Sequence, residues 1–482
     1  VSNNESKVVD SPVSDSKSLS RDLREVHVVF LRRNIDDVFT YETDREGDLI
    51  GRPVVVPLGP SLTVGLVVGV EQNPEPNDQR KSIRDVLENF DSIPQRLVEL
   101  GRWISRYYVS PLPSVFQSIL PPKFLPSPTT AWKLYEVPEE LQNLNIEHSR
   151  DSRITLDELS GLGDRNKTEW KQAMETWENE GKVNETLKLS RAEITRRRLN
   201  FIEFANKQWD TENCSRKENE CLEYLREHGD TFQKDLPESL ARTGLLNRLQ
   251  EKELIQRTQE VHRRDPFPER ETEDASDSFQ LTDEQQAVIE SIERDWECEG
   301  FSPHLLHGVT GSGKTEVYFR LAEKALERDE SVLVLVPEIT LAAFMVRRFR
   351  QRFGDDLAVL HSGLSAGERL DEWLRIQRGE ATVVLGVQSA VFAPLENPGL
   401  IVVDEEHDTS YKASQTPRYH ARDVALKRGQ MEKIPVILGS ATPSLESYAN
   451  SRKGRFDRLE MTQRPKAGEL PKVRIFDLRN EE

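Results

Sequence analysis

The chain has 482 residues and a formal charge of −18, from 66 Lys and Arg against 84 Asp and Glu. That length holds about three domains, each large enough for its own core, while the acid excess excludes broad adhesion to nucleic acid, which needs clustered cations to neutralise phosphate. Three cysteines, Cys214, Cys221 and Cys298, exclude a paired disulfide framework and leave no Cys-x-x-Cys zinc spacing. No apolar stretch reaches membrane-spanning length and residues 1–20 lack a signal-peptide core, which predicts a cytoplasmic protein.

In chain order, residues 1–20 are polar and aperiodic and predict a disordered tail. Residues 21–120 open with β-branched runs at Val26–Val29, Val38–Tyr41, Val54–Val56 and Val64–Val70, punctuated by Gly47, Gly51, Gly59 and Gly65, which predicts a small β-barrel or sandwich. Leu97, Leu100, Ile104 and Tyr108 then recur at helical spacing, so a helix packs on that barrel. Residues 121–262 hold charged, Leu-punctuated segments that predict an α-rich domain, with helix-turn-helix or winged-helix units around Leu156–Leu187 and Cys221–Leu254. Arg191 and Arg196-Arg197-Arg198 are either phosphate contacts or a solvated face. Residues 263–278, with Pro266, Pro268 and many acids, predict a linker.

Beyond the linker, residues 279–482 alternate aliphatic runs with amphipathic segments, the pattern of a doubly wound parallel sheet. Such sheets bind ligands at the carboxyl ends of their strands, where Gly308, Pro337, Gly386, Asp404 and Ser440 fall. Gly308-Val309-Thr310-Gly311-Ser312-Gly313-Lys314-Thr315 is a complete phosphate-binding loop. Its backbone N–H groups, with Gly308, Gly311, Ser312 and Gly313 allowing close approach, converge on phosphate. Lys314 reaches the β/γ oxygens and the Thr315 hydroxyl ligates Mg²⁺. Asp404, closing the run Leu400-Ile401-Val402-Val403, is the second Mg²⁺ ligand through water, and Glu405 orients the attacking water. ATP and Mg²⁺ are therefore the expected cofactors, with Lys314, Asp404 and Glu405 carrying the chemistry.

Read with its flanks, His307 to Tyr318 resembles the PriA family of superfamily 2 DNA helicases. The same family order continues in Leu281-Thr282-Asp283-Glu284-Gln285, Val336-Pro337-Glu338-Ile339, His361-Ser362-Gly363-Leu364-Ser365, Asp404-Glu405-Glu406-His407-Asp408, Pro417-Arg418-Tyr419-His420 and Gly439-Ser440-Ala441-Thr442-Pro443-Ser444. Val54-Val55-Val56-Pro57-Leu58-Gly59 and Tyr107-Tyr108 extend it into the N-terminal region. The fold it implies is a multidomain α/β chain: a 3′-end DNA-binding barrel (21–120), a winged-helix-like domain (121–262), a linker (263–278) and the first RecA-like helicase lobe (279–482). The activity it implies is ATP-dependent 3′–5′ unwinding at stalled or forked DNA, promoting primosome assembly and replication restart. Partners implied are forked and single-stranded DNA, single-stranded DNA-binding protein and helicase-loading proteins.

The resemblance makes Gln285 an adenine reader, although a glutamine on a helix surface reads the same way. It puts Tyr411, Lys412, Arg418 and Tyr419 in a loop that senses single-stranded DNA by stacking and phosphate contact. It makes Phe39, Gly59 and Lys81 the pocket for a DNA 3′ end, with Phe39 otherwise a barrel core residue. Ser440-Ala441-Thr442 couples nucleotide state to DNA movement, or Ser440 caps a helix. Three departures touch DNA contacts: Thr40 for the family's aspartate, Gly386-Val387-Gln388-Ser389-Ala390 for Gly-Thr-Arg-Ser-Ala, and Ala342-Ala343-Phe344 for Thr-Pro-Gln. The chain also stops before the family's second lobe and its cysteine-rich zinc module, so the expectation is ATP binding with poor hydrolysis. The rival expectation is a diverged ATP- and DNA-binding factor that does not unwind.

Overall fold

The computed structural model describes residues 23–465 apart from 32–34, 60, 73, 75–78, 89, 123, 136–137, 143–152, 162–164, 191–196, 206–208, 210–212, 234–235, 238, 263–279, 299 and 338. The expected tail, the linker, Arg191 and Arg196 lie outside them. The chain divides into two compact units, one joining the N-terminal region to the C-terminal α/β lobe and one formed mainly by the middle region.

Six strands build the N-terminal sheet: β1 (Arg24–Val29), β2 (Phe39–Thr43), β3 (Pro53–Leu58), β4 (Ser61–Gln72), β5 (Lys81–Ser82) and β6 (Asp85–Val86), in the order β5-β2-β1-β4-β3-β6. Alternation along them puts Val26, Val28, Tyr41, Val54, Val56 and Val67 into one core. One short segment serves both edges of the sheet. Lys81–Ser82 pairs with β2 and Asp85–Val86 with β3, while Ile83 N–H donates to Glu42 O and Arg84 N–H to Val55 O. The sheet therefore curls until a single strand closes it, which removes exposed edges. Helices α1 (Gln95–Tyr107) and α2 (Leu112–Ile119) pack against each other through Gly101, where an added Cβ would stand 3.0 Å from Phe116.

The middle region departs from the α-rich expectation. Strands β7 (Ser127–Leu134), β8 (Arg153–Thr155) and β9 (Val183–Ser190) form an antiparallel sheet, order β8-β7-β9, with helices α3 (Glu139–Gln142), α4 (Leu156–Ser160) and α5 (Lys167–Asn179). Its core is Trp132, Leu159, Trp170, Met174 and Trp177. A second sheet, order β11-β10-β12, combines β10 (Arg197–Phe204), β11 (Thr231–Phe232) and β12 (Ile255–His262) with α6 (Arg216–His228) and α7 (Thr243–Glu251) around Cys221, Leu222, Leu225, Leu246 and Leu249. The region is thus α+β. Its strands carry charges such as Glu185, Lys188 and Arg257 on their solvent side, so their alternation is masked when read as composition. Helix starts were the clearer signal: Thr155 with Glu158, Asn166 with Glu169 and Ser215 with Glu218 all form reciprocal caps.

The C-terminal lobe begins with α8 (Asp283–Glu297). Strands β13 (Pro303–Gly308), β14 (Ser331–Leu335), β15 (Leu357–Leu360), β16 (Val383–Gly386), β17 (Pro398–Val403), β18 (Val436–Ser440) and β19 (Asp457–Met461) pair in parallel throughout, in the order β15-β16-β14-β17-β18-β13-β19. Helices α9 (Lys314–Leu326), α10 (Ile339–Phe353), α11 (Ala366–Gln377), α12 (Ala421–Glu432) and α13 (Leu445–Arg452) lie between them in sequence. Strands β14, β15, β16 and β18 are buried at every residue, as a sheet covered on both faces requires. The N-terminal region docks here through Arg96, whose Nη1 donates to Met431 O at 2.6 Å and whose Nε lies 3.3 Å from Glu432, and through Arg378, 3.2 Å from Asp91. Among the described residues no helix is long and apolar enough to cross a membrane.

Candidate nucleotide-binding site and DNA-facing residues

Strand β13 ends at Gly308 and α9 starts at Lys314, so residues 309–313 must reverse the chain in five positions. Gly311 and Gly313 do this at φ +82° and +86°, values that cost an L side chain about 1–2 kcal/mol. Gly313 is doubly constrained, since a Cβ there would stand 2.3 Å from Gln285 Nε2. It also caps α9 without any side-chain hydrogen bond; the Glu316 N–H donates to Gly313 O at 2.9 Å, which leaves the Lys314 and Thr315 N–H groups for an anion. Lys314 is 9% exposed, donates from Nζ to Gly308 O at 2.9 Å and lies 4.0 Å from Glu405 Oε1. Thr315 follows on the same first turn, half-buried.

Gln285 is 3% exposed and uses both ends of its amide. Oε1 accepts from Thr282 N–H at 2.9 Å and Nε2 donates to Ser312 O at 3.0 Å. The side chain is therefore no surface residue; it clamps the start of α8 to the phosphate loop, and its amide is engaged with the protein where adenine reading was expected.

Asp404 follows the last residue of β17, its N–H donating to Leu335 O on β14. Tyr318, fully buried one turn after Lys314, donates its hydroxyl to Asp404 Oδ1 at 2.9 Å. Burial raises the Asp404 carboxyl to about 6, with the Glu405 charge adding to the rise and the Tyr318 hydroxyl and Lys314 opposing it. Burial and the Asp404 charge hold the Tyr318 phenol far above its usual range, so it remains a donor. Glu405 sits at φ +43°, a strained backbone for a non-glycine residue and one that recurs at functional sites. The Ser312 hydroxyl, within the phosphate loop, is buried without a hydrogen-bond partner. An orphan hydroxyl and a carboxyl that burial leaves reluctant to ionise are what a bound phosphate and its Mg²⁺ would satisfy, so the residues present fit both.

From Asp404 two connections run outward. Glu406, 0% exposed, accepts from Ser444 N–H at 2.6 Å, Ser444 Oγ at 3.0 Å, Ser447 Oγ at 2.8 Å and Arg422 Nη1 at 2.9 Å. His407 Nδ1 lies 2.9 Å from Ser440 Oγ, which accepts from Thr442 N–H at 3.0 Å. The ends of β17 and β18 are thereby joined. Ser440 is not a helix cap; Ser444 caps α13, accepting from Ser447 N–H.

The loop after Asp404 corrects two expectations. Tyr411 is 0% exposed with its hydroxyl donating to Asp404 O at 2.7 Å, and Tyr419 is 4% exposed, edge-on to Phe392 at 5.0 Å. Both rings are core and are covered against base stacking. Lys412 and Arg418 are exposed, with Lys412 Nζ donating to Arg418 O at 2.7 Å. The loop is held to the N-terminal region by Tyr108, whose hydroxyl accepts from His420 N–H at 3.1 Å while Lys412 Nζ lies 5.3 Å above its ring. Burial, chiefly, pushes the Tyr108 phenol to about 12. Tyr107 beside it is 61% exposed and stacks on Trp103 at 4.7 Å.

Of the expected 3′-end pocket, Gly59 and Lys81 meet: Gly59 is exposed at φ +63° and its carbonyl accepts from Lys81 Nζ at 3.3 Å. Phe39 is half-buried, 5.2 Å from Phe30 and packed on the barrel core. Reading the sequence assigned no role to Tyr318, Glu406, Arg422 and Tyr108. A Tyr among the apolar residues of α9 was the available signal, because a buried phenol needs a partner.

A phosphate loop at the end of one parallel strand, an acidic pair at the end of another and β18 between them define a P-loop nucleotide-binding lobe. The sequence pattern of a 3' DNA-binding domain (3'BD) of PriA matches residues 28–121, and that of the DEAD/DEAH box helicases matches residues 282–451. The replication restart protein PriA of Bacillus subtilis is 34% identical over 477 residues, 95% of this chain and 58% of that protein. The PriA of Chlamydia pneumoniae is 30% identical over 93% of this chain and 53% of its own length, and that of Synechocystis 48% identical over 43% and 25%. The chain is thus similar to PriA proteins over most of its length. It spans a little over half the length of the first and second of these relatives.

Proposed function

We propose that this chain is the fork-recognising and ATP-binding part of a PriA-type DNA helicase, acting with ATP and Mg²⁺ in replication restart. What supports the reading most is one contact: the Tyr108 hydroxyl of the N-terminal region holds the loop that follows Asp404, inside a single compact unit. Residues 21–120 form the DNA 3′-end-binding domain, 121–262 the winged-helix-like domain and 279–482 the RecA-like lobe. Lys314 and the first-turn N–H groups of α9 bind the phosphates, and the Ser312 hydroxyl finds its partner there. Thr315 and Asp404 hold Mg²⁺, which when bound neutralises charge on the β and γ oxygens. Tyr318 orients the Asp404 carboxylate, and Glu405 positions the attacking water and receives its proton. Gln285 keeps the loop open to phosphate by holding the Ser312 carbonyl. Lys412 and Arg418 contact the DNA backbone, and Phe39, Gly59 and Lys81 receive the 3′ end. Single-stranded DNA-binding protein and helicase-loading proteins are the expected partners.

Two assays test this. Lys314→Ala should abolish most ATP–Mg²⁺ affinity in calorimetry without unfolding the lobe; unchanged binding removes the site assignment. The wild-type chain should prefer forks with a free nascent 3′-hydroxyl over 3′-phosphorylated forks, and folded Phe39→Ala should lose that preference. Equal wild-type binding of the two forks rules the pocket out. A second reading, a DNA- and ATP-binding factor that does not unwind, is favoured by the burial of Tyr411 and Tyr419, and strand-displacement assays separate it from the first.

A further inference from the structure

At the N-terminal ends of β13 and β19, the opposite end of the strands from the phosphate loop, three residues that no nucleotide contact uses converge. His304 is the second residue of β13, Asp457 is the first of β19 and its direct register partner, and Asp295 lies near the C-terminal end of α8. Their ligand atoms lie within 4.8 Å of one another, with His304 Nε2 3.6 Å from Asp295 Oδ2. His304 is 0% exposed and neither ring nitrogen has a hydrogen-bond partner.

A fully buried imidazole with neither nitrogen hydrogen-bonded, facing two carboxylates, is a donor set short of positive charge. We propose that His304, Asp295 and Asp457 form a site for a divalent transition-metal ion, Zn²⁺ in particular. One imidazole and two carboxylates suit Zn²⁺, with water completing four-coordination. Ligand atoms about 2.0–2.2 Å from a tetrahedral ion are about 3.3 Å apart, so the 3.6 Å pair is nearly in place. Asp457 is exposed and Asp295 half-exposed, so both can close the remaining gap by rotation. The ligand set contains no cysteine, which is why a search for cysteine spacing passes over it.

The site has a mechanical consequence. Helix α8 carries Gln285 at its start and Asp295 about 15 Å further along its axis. The Gln285 end clamps the phosphate loop at Ser312 and Glu284 accepts from the Thr462 and Gln463 N–H groups just after β19. A cation bridging Asp295 to β13 and β19 fixes the far end of the same helix, so the whole lever that positions the loop is pinned at both ends.

The test is titration of chelator-treated full chain with Zn²⁺, without nucleotide, by calorimetry and by thermal melting. Wild type should bind one ion at this site and melt higher with Zn²⁺ than with chelator. Asp457→Asn, at an exposed position that does not endanger folding, and His304→Gln should each weaken binding on the order of 10- to 100-fold or more and lose the melting shift. Asp404→Asn, which disables the carboxylate at the nucleotide site, should keep both. Absence of saturable binding by wild type overturns the proposal and leaves His304 as the buried partner of Asp295. Binding undiminished in Asp457→Asn, or lost instead in Asp404→Asn, overturns it equally.

Discussion

Replacing Glu406 with alanine removes the acceptor of four hydrogen bonds from a site with no solvent access. The Ser444 N–H and the Ser447 hydroxyl lose their partner. Arg422, whose side chain is 11% exposed, keeps as charged partner only Asp423, 3.2 Å from its Nε and 37% exposed, with the Ser444 hydroxyl accepting from its Nη1 at 2.8 Å. Removing one member of a buried ion pair costs about 3–5 kcal/mol, and the remaining Asp423 contact puts this case near 3. At about 2–4 °C per kcal/mol for a domain of roughly 200 residues, the melting temperature of the α/β lobe should fall by about 6–12 °C. Differential scanning calorimetry of Glu406→Ala, Arg422→Met and the double variant gives the measurement. The double variant should be less destabilised than the sum of the singles by about 1 kcal/mol or more, because no charge is then left unpaired. Additive single effects, or a shift below about 2 °C, would refute the reasoning that this carboxylate binds the end of β17 to the start of α13.

Glu218 in the middle region offers a pH test. Burial alone would raise its carboxyl, but the Ser215 N–H, Lys252 and Arg248 outweigh that and bring it to about 2, below its ordinary 4.5. Its stabilising contribution is therefore complete above 4.5 and lost as pH falls toward 2, and Glu218→Gln should flatten that part of the melting-temperature profile. Tyr108→Phe should leave the fold intact, costing about 1 kcal/mol, while weakening the effect of forked DNA on ATP–Mg²⁺ affinity, read by calorimetry with and without the fork; an undiminished effect excludes a coupling role for the hydroxyl. Gly439→Ala would place a Cβ 1.8 Å from the Tyr318 hydroxyl and 3.4 Å from Asp404 Oδ1. It should destabilise by about 1–3 kcal/mol and reduce Mg²⁺–nucleotide affinity, seen by calorimetry, whereas wild-type affinity would show that Tyr318 can yield.

The sequence by itself determined the elements whose chemistry is local. A glycine-rich loop between an aliphatic run and a helix, and acids following another aliphatic run, can be read without coordinates, because phosphate binding depends on backbone N–H groups that neighbouring residues supply. The parallel lobe was equally legible, since strands covered on both faces are continuously apolar. The strands of the middle region were not, because a sheet open to solvent mixes charge into its alternation. Only the tertiary structure decided what each polar side chain does with its partner. Gln285 is a clamp because Ser312, 27 positions away, comes within 3.0 Å; Tyr411 and Tyr419 are core because Asp404 and Phe392 close over them. His304 and Asp457, 153 residues apart, become neighbours only when β13 and β19 pair. Burial and partner choice are properties of the packed chain, and no reading of residue types along a line contains them.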